Sequence, residues 1–143
     1  MKRLVAVAAL CAAIPVHAES GFFERLRQSI ESHLGRPYVW GEAGNKSFDC
    51  SGFVWRVGTD TGLFFKRTTA RKLWFSTTPA TAANRGKLGN LVFFDDLKHV
   101  GIVNDTRSFY HAQSSKGTNL SEMNAYWKPK VVGEHRFFIP PAK

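Results

Sequence analysis

The sequence predicts a single α+β domain in which helices come first and an antiparallel sheet follows. Up to about residue 76 the apolar residues recur every three or four positions, which is typical of one buried helix face. From residue 90 onward they fall in short runs of β-branched and aromatic residues, which are typical of strands. The 143 residues are 43% hydrophobic, so the chain is long enough and apolar enough to bury one core.

Residues 1–18 are predicted to form a secretory signal peptide. Two basic residues open the chain, and the apolar run at 4–14 is too short to cross a bilayer. Small or modest side chains at 16–18 place the predicted cleavage after Ala18. The mature protein, residues 19–143, is therefore expected to be one catalytic domain. We expect export to the periplasm or beyond the cell, without membrane insertion after cleavage.

The signal segment contains Cys11, so only Cys50 is expected in the mature chain. A lipid anchor on Cys11 is the alternative, which the large Leu10 before it disfavours. Exported proteins usually meet an oxidising compartment in which cysteines pair. A single thiol there is buried and inert, paired with another molecule, or used chemically.

The formal net charge of the whole chain is +9. Such an excess of basic residues often indicates that a protein binds nucleic acid. Outside the cytoplasm, an anionic polymer of the cell envelope is the better candidate for a binding partner. The basic residues are scattered along the chain, so a solvated surface explains them equally well. We expect no nucleic-acid partner, no cofactor and a monomer.

The first helix is predicted to begin after Ser20, a good N-cap, and to end at Gly35. His33 in its last turn is predicted to lie at the surface. The inward face consists of residues spaced by four, Phe22, Leu26, Ile30 and Leu34. A loop at 36–47 follows, in which Tyr38 and Trp40 could line a groove or enter the core; for Trp40 we favour the core.

The second helix is predicted to start at Cys50, with Asp49 as N-cap, and to bury Phe53, Val54 and Val57. A helix N-terminus carries partial positive charge and free N–H groups. Both favour the nucleophilic thiolate, and a free N–H can receive the oxyanion of a tetrahedral intermediate. A core cysteine, the alternative, would more naturally lie mid-helix on the apolar face.

A short third helix is predicted at 68–76, followed by a connector at 77–89. Strands are predicted at 90–94, 99–103, 107–112 and 133–139, with a short one at 118–121.

His99 and His111 flank a predicted hairpin turn at 104–106. A turn centred on Asp105 places the two histidines directly opposite each other, and a register error of two residues would keep them on one face. Together with Cys50 they supply the nucleophile, the base and the orienting group of a cysteine peptidase. The three could instead bind zinc, which we rank lower because no fourth ligand stands at a telling spacing. Each histidine could also simply pack in the sheet.

The residues around Cys50 resemble a known motif. Residues 36–41 (RPYVWG) and 48–54 (FDCSGFV) are similar to the nucleophile region of the NlpC family, which are papain-like cysteine peptidases of bacterial cell walls. Residues 89–94 with 99–103 resemble the strands that carry the family's histidine, and 109–112 resemble the strand of its third residue. Residues 126–127 resemble a late aromatic pair.

The resemblance implies a papain-like NlpC fold, with the nucleophile helix packed on an antiparallel sheet. It implies a thiol endopeptidase that hydrolyses amide bonds of peptidoglycan, at D-Ala–diaminopimelate cross-links or at D-Glu–diaminopimelate. By position, the resemblance makes Cys50 the nucleophile, His99 the base and then the acid, and His111 the group that orients His99. Tyr38 matches a tyrosine near the oxyanion, and Asp49 and Ser51 match positions that can contact a substrate amine or the peptide backbone.

The sequence departs from the family pattern at two positions, where Glu42 follows Gly41 and Asn90 replaces an acidic turn residue. Neither change affects the proposed trio. Two other functions stay open: a catalytically silent module that binds the wall or a partner, and an exported toxin against competing bacteria. We expect no separate wall-binding module, so that an adaptor protein or the basic surface would have to supply targeting.

Overall fold

The computed structural model describes residues 16–44 and 46–140, which form three helices followed by six strands. The helices are α1 (Val16–Ser32), α2 (Cys50–Asp60) and α3 (Ala70–Ser76). The strands are β1 (Thr78–Pro79), β2 (Leu91–Phe94), β3 (His99–Val103), β4 (Ser108–Gln113), β5 (Gly117–Glu122) and β6 (Val131–Arg136). Most of the predicted signal peptide, residues 1–15, lies outside the described residues, so its cleavage stays a prediction. None of the helices in the described ranges has the length and apolar character that a membrane span requires.

The three predicted helices are present, and α1 is longer than predicted. It begins at Val16, so Ser20 lies inside the helix and does not cap it, because the residues before Ser20 continue the helix. Phe22, Leu26 and Ile30 are buried as predicted. The prediction that His33 lies at the surface is wrong. Its Nε2 lies 2.7 Å from the Asp60 carboxylate, and this contact joins the ends of α1 and α2.

The six strands form one antiparallel sheet in the order β1-β6-β2-β3-β4-β5. Every predicted strand is present, with bounds that differ by one to three residues at some ends. The very short β1, which pairs with β6 at the sheet edge, was not predicted. It comes from the connector and contains Pro79, which a sheet accepts only at its edge.

The predicted register of the β3–β4 hairpin is wrong by two residues. Ile102 pairs with Tyr110, and this register continues to Gly101 opposite His111. The cause is the turn, which has four residues at 104–107. The Asp105 carboxylate accepts hydrogen bonds of 2.8 Å from the Arg107 N–H and from the Ser108 hydroxyl, and this arrangement moves the centre of the turn along the chain.

Side chains alternate between two buried clusters on the two faces of the sheet. The larger cluster lies between the sheet and the helices and includes Phe53, Phe93 and Ile102, which are fully buried. The smaller cluster on the other face consists of Val92, Phe94, Val103, Phe109 and Trp127. His99 and His111 contact this second cluster, so the even offset of the register kept both histidines on one face.

Candidate active site

Cys50 is the first residue of α2, as predicted. Asp49 is the N-cap, and its side chain accepts a hydrogen bond of 2.6 Å from the Gly52 N–H. The Cys50 side chain faces the start of β3, and its thiol donates a 3.9 Å hydrogen bond to the Lys98 carbonyl. His99 directly follows Lys98, so the start of α2, which carries Cys50, lies beside the start of β3, which carries His99.

The thiol of Cys50 is less acidic than its position at a helix N-terminus suggests. Only 8% of the residue is exposed, and this burial raises the pKa of the thiol. A backbone hydrogen bond from Val100 lowers the pKa, while the negative charge of Asp49 raises it. The backbone N–H groups of Cys50 and Ser51 at the helix start lower the pKa, as predicted, but burial outweighs them and the net pKa of the thiol is raised. A base is needed to remove the proton.

His99 and His111 are in direct contact. His99 Nε2 lies 2.8 Å from His111 Nδ1, and the two ring centroids are 5.1 Å apart. Trp127 covers both rings: it stacks on His99 at an interplanar angle of 22° and meets His111 edge to face. The pair is therefore held in one orientation under an apolar cover.

The direct contact between the rings disfavours the zinc alternative, because two nitrogens that share a hydrogen bond leave no space for an ion between them. In addition, the described part of the chain contains no group of three histidine, cysteine or acidic side chains arranged to hold a metal ion.

Two residues of β5 that were not predicted as site residues, Ser121 and Asn119, extend the hydrogen-bond network of the histidine pair. His111 Nε2 lies 2.7 Å from the Ser121 hydroxyl, which donates a 2.9 Å hydrogen bond to Asn119 Oδ1. The Asn119 amide is held in this orientation because its Nδ2 donates to the Gly117 carbonyl. Alternating residues of β5 present these groups to His111, but a serine and an asparagine two residues apart give no specific signal in a sequence.

The direction of these hydrogen bonds determines the tautomer of each ring. Asn119 Oδ1 can only accept, so the Ser121 hydroxyl donates to it and accepts from His111 Nε2–H. His111 Nδ1 then carries no proton and accepts from His99 Nε2–H. The remaining nitrogen of a neutral His99, Nδ1, is therefore unprotonated, which is the form that a base requires.

Replacing Ser121 with alanine is expected to reduce turnover by between about tenfold and a hundredfold, the range seen when an outer hydrogen bond to a functional histidine is lost. Because this bond sets the tautomer, the ¹⁵N shifts of His99 and His111 should change as well. Ser32→Ala is the matched control, since Ser32 lies on α1 and bonds only within that helix. Unchanged ring shifts with normal turnover would show that Ser121 does not set the tautomer.

Burial lowers the pKa of both histidines. The pKa of His99 falls from 6.5 to about 4, and the pKa of His111 falls to about 3. The main cause is desolvation, which disfavours the charged ring; for His111 the neighbouring His99 adds to the shift. At neutral pH both rings are therefore neutral.

The acidic limb of the pH profile of kcat/KM is expected near pH 4. Above this pH His99 is neutral and can accept the Cys50 proton; below it the ring is already protonated and activity is lost. The measurement is kcat/KM from pH 3 to pH 8 on a soluble stem peptide, the substrate that the sequence resemblance implies, with recovery at pH 7 as the control for unfolding. A limb near 6.5 would show that burial does not govern this titration.

Asp49 and Ser51 form a network with Arg67. The Asp49 carboxylate is 2.6 Å from the Arg67 guanidinium, which also donates to the Ser51 hydroxyl at 3.1 Å. The second Asp49 oxygen accepts from the Gly41 N–H at 2.9 Å. The predicted contact of these side chains with a substrate amine or the peptide backbone stays a prediction, and in the structure both side chains bind the cation of Arg67. Arg67 was missed because it lies far along the chain from Cys50.

Two grooves meet at the site. The cysteine groove contains Cys50, and its lining includes four basic residues, Arg67, Arg71, Lys72 and Lys98. The histidine groove contains His99 and is lined by residues that include Asp95, Asp96, Lys98 and Trp127. Tyr38 and Lys98 line both grooves, so they form the junction between the groove that contains Cys50 and the groove that contains His99. The grooves differ in charge, one mainly basic and the other with two carboxylates.

Tyr38 lies at this junction and is half-buried. Burial raises the pKa of its hydroxyl, and the negative forms of Cys50 and Asp49 would raise it further, so the hydroxyl keeps its proton and can donate. The preference for Trp40 in the core is wrong. Its side chain is 84% exposed and lines the cysteine groove, because the turn at Gly41 directs it outward.

Comparison with known proteins identifies relatives across this region. A family model described as the NlpC/P60 family matches residues 35–136. The chain is 36% identical over 121 residues to the probable peptidoglycan endopeptidase LytE of Bacillus subtilis, covering 79% of this chain and 34% of LytE. It is 32% identical over 111 residues to the probable endopeptidase NlpC of Escherichia coli, covering 72% of this chain and 70% of that protein.

Among solved structures, a lipoprotein-like NLP/P60 family protein of Staphylococcus aureus superposes with a TM-score of 0.71 at 26% identity. The match covers 81% of this chain and 41% of the other. This chain thus spans less than half of that protein and about a third of the length of LytE.

Proposed function

The chain belongs to the NlpC/P60 family, and from that membership we propose that it is a cysteine endopeptidase that hydrolyses amide bonds in peptidoglycan stem peptides. The observation that supports this most directly is that the Cys50 thiol bonds to the carbonyl of Lys98, the residue directly before His99, where two grooves adjoin and where His99 is bonded to His111. We place its action in the cell envelope, where this substrate occurs.

In the first half of the reaction, His99 Nδ1 accepts the thiol proton while Cys50 Sγ forms a bond to the scissile carbonyl carbon. The resulting oxyanion receives hydrogen bonds from the Cys50 backbone N–H and the Tyr38 hydroxyl. The carbon–nitrogen bond then breaks, and His99 returns the proton to the leaving amine. The product that stays bound is a thioester on Cys50.

In the second half, His99 removes a proton from water, which attacks the thioester carbonyl. Collapse of this intermediate releases a carboxylic acid and returns the proton to the Cys50 thiolate. His111 acts throughout by keeping His99 in the tautomer whose Nδ1 is free. Asp49 and Ser51 act as positioning residues, because their polar groups already bind Arg67 and the start of α2.

The charges of the grooves favour one of the two bonds. The acyl group ends on Cys50 and so occupies the basic cysteine groove, while the leaving amine takes its proton from His99 and occupies the histidine groove. A γ-linked D-Glu acyl group keeps a free carboxylate, and a diaminopimelate leaving group keeps an ammonium that suits Asp95 and Asp96. A D-Ala acyl group carries no such charge. Hydrolysis between D-Glu and diaminopimelate therefore fits better than hydrolysis of D-Ala–diaminopimelate cross-links.

The test is digestion of purified muropeptides of defined structure by the expressed chain, with products identified by mass. We expect fragments that end in D-Glu and fragments that begin with diaminopimelate. Fragments that end in D-Ala would instead assign the cross-link. Binding to sacculi without release of any product would contradict hydrolysis and support a silent wall-binding module.

A further inference from the structure

Lys98 occupies a distinctive place at the junction of the grooves. It lines both of them, its backbone carbonyl accepts the Cys50 thiol hydrogen bond, and the next residue is His99. Its side chain is exposed. The position is therefore adjacent to the bond that the enzyme would cleave.

The backbone of the loop before Lys98 is tightly constrained. Asp95, Asp96 and Leu97 have φ values of 51°, 54° and 65°, a conformation that residues other than glycine seldom adopt. The loop is held by the Lys98 N–H, which donates to the Asp95 carbonyl at 3.1 Å, and by Leu97, which is buried in the core. Such strained segments concentrate at functional sites, where the surrounding structure keeps them in place. These contacts hold the backbone of Lys98, from which its side chain extends, in a fixed position.

In the described part of the chain, the Lys98 ammonium forms no ion pair. Among the ion pairs of the described residues, Asp95 pairs with Lys130 and Asp49 pairs with Arg67, and none includes Lys98. Among the other basic residues of the cysteine groove, Arg67 is neutralised by its 2.6 Å contact with Asp49, and Arg71 and Lys72 do not line the histidine groove. Lys98 is thus the cation at the groove junction that is available to a ligand.

We infer that Lys98 binds the free α-carboxylate of the γ-linked D-glutamyl residue and thereby selects that residue as the acyl group. This inference rests on the proposed function and adds a specificity residue to it. In a γ-linkage the α-carbon lies three bonds from the scissile carbonyl carbon. Its carboxylate is therefore close to the junction when the carbonyl is at Cys50, within reach of a lysine side chain that starts beside it. Amidation of this carboxylate removes the charge and leaves the shape nearly unchanged.

The test compares kcat/KM for a disaccharide-tetrapeptide that contains D-Glu with the same muropeptide that contains D-isoglutamine. Wild type is expected to prefer the D-Glu substrate by about tenfold, as for one charge-assisted hydrogen bond. Lys98→Met should lose about that factor on the D-Glu substrate only, and Lys98→Arg should keep the preference. Lys87→Met is the matched control, since Lys87 is exposed and lines neither groove.

An equal fall on both substrates for Lys98→Met, or no fall, would overturn the inference. Cleavage at D-Ala, indifferent to amidation of D-Glu, would overturn it while leaving hydrolysis of the wall intact. If wild type cleaves neither substrate and no other muropeptide, the proposed function fails and the inference fails with it.

Discussion

Replacing Cys50 with alanine is expected to abolish muropeptide cleavage, with a fall in kcat of about 10⁴-fold or more, as for removal of the nucleophile in other covalent hydrolases. The reason is that, in the proposed mechanism, the Cys50 thiol forms the covalent bond to the substrate and His99 only transfers protons, so the reaction has no acceptor for the acyl group once the sulfur is removed. Product release followed by mass spectrometry measures the effect.

The fold should tolerate this substitution, because alanine keeps the β-carbon and removes only one buried sulfur atom. Thermal unfolding and cosedimentation with sacculi are the controls, and both should stay near wild type. A Cys50→Ala protein that cleaves at the wild-type rate would assign the chemistry to other residues. If Cys50→Ala loses both cleavage and folding, Cys50→Ser is tested in its place, because serine retains the shape of the side chain. A folded Cys50→Ser protein should also fail to cleave.

The order of helices and strands could be predicted because it depends on capping residues and on the periodicity of apolar residues, which are local features of the sequence. Asp49 caps α2 in the structure for the reason that it was predicted to: its short carboxylate reaches the N–H of Gly52. Likewise His99 and His111 share a face because strand periodicity is two, and this survives a register error of two residues.

What was mispredicted depends on contacts between distant parts of the chain. The acidity of Cys50 was inferred from helix onset, but burial against β3 dominates it. Arg67 is 18 residues from Asp49 along the chain, and only the folded chain brings the two to 2.6 Å. Trp40 has a large apolar side chain, yet the loop that carries it exposes it beside the groove. In each case the environment of the side chain is set by a part of the fold that the local sequence does not indicate.

Replacing Gly52 with alanine is expected to destabilise the protein by about 3 kcal/mol, at the upper end for overpacking of a well-packed site. In an ordinary helix this change would stabilise, because alanine has a helix propensity higher than that of glycine by about 1 kcal/mol. Here a β-carbon on Gly52 would overlap the Glu42 carbonyl oxygen and lie 2.8 Å from both the Arg67 guanidinium and the Asp49 carboxylate.

This overlap cannot be relieved by rotating a side chain, because the Glu42 carbonyl is backbone and accepts the Asp49 N–H at 2.9 Å. Relief requires the loop that carries Tyr38 and Trp40 to move away from α2, so cleavage should fall together with stability. Denaturant unfolding measures the first effect and muropeptide digestion the second. Gly44→Ala is the matched control, since a β-carbon there meets no atom within 4 Å. Stabilisation by Gly52→Ala would mean that helix propensity outweighs the close approach, and that the loop is free to shift without loss of the site.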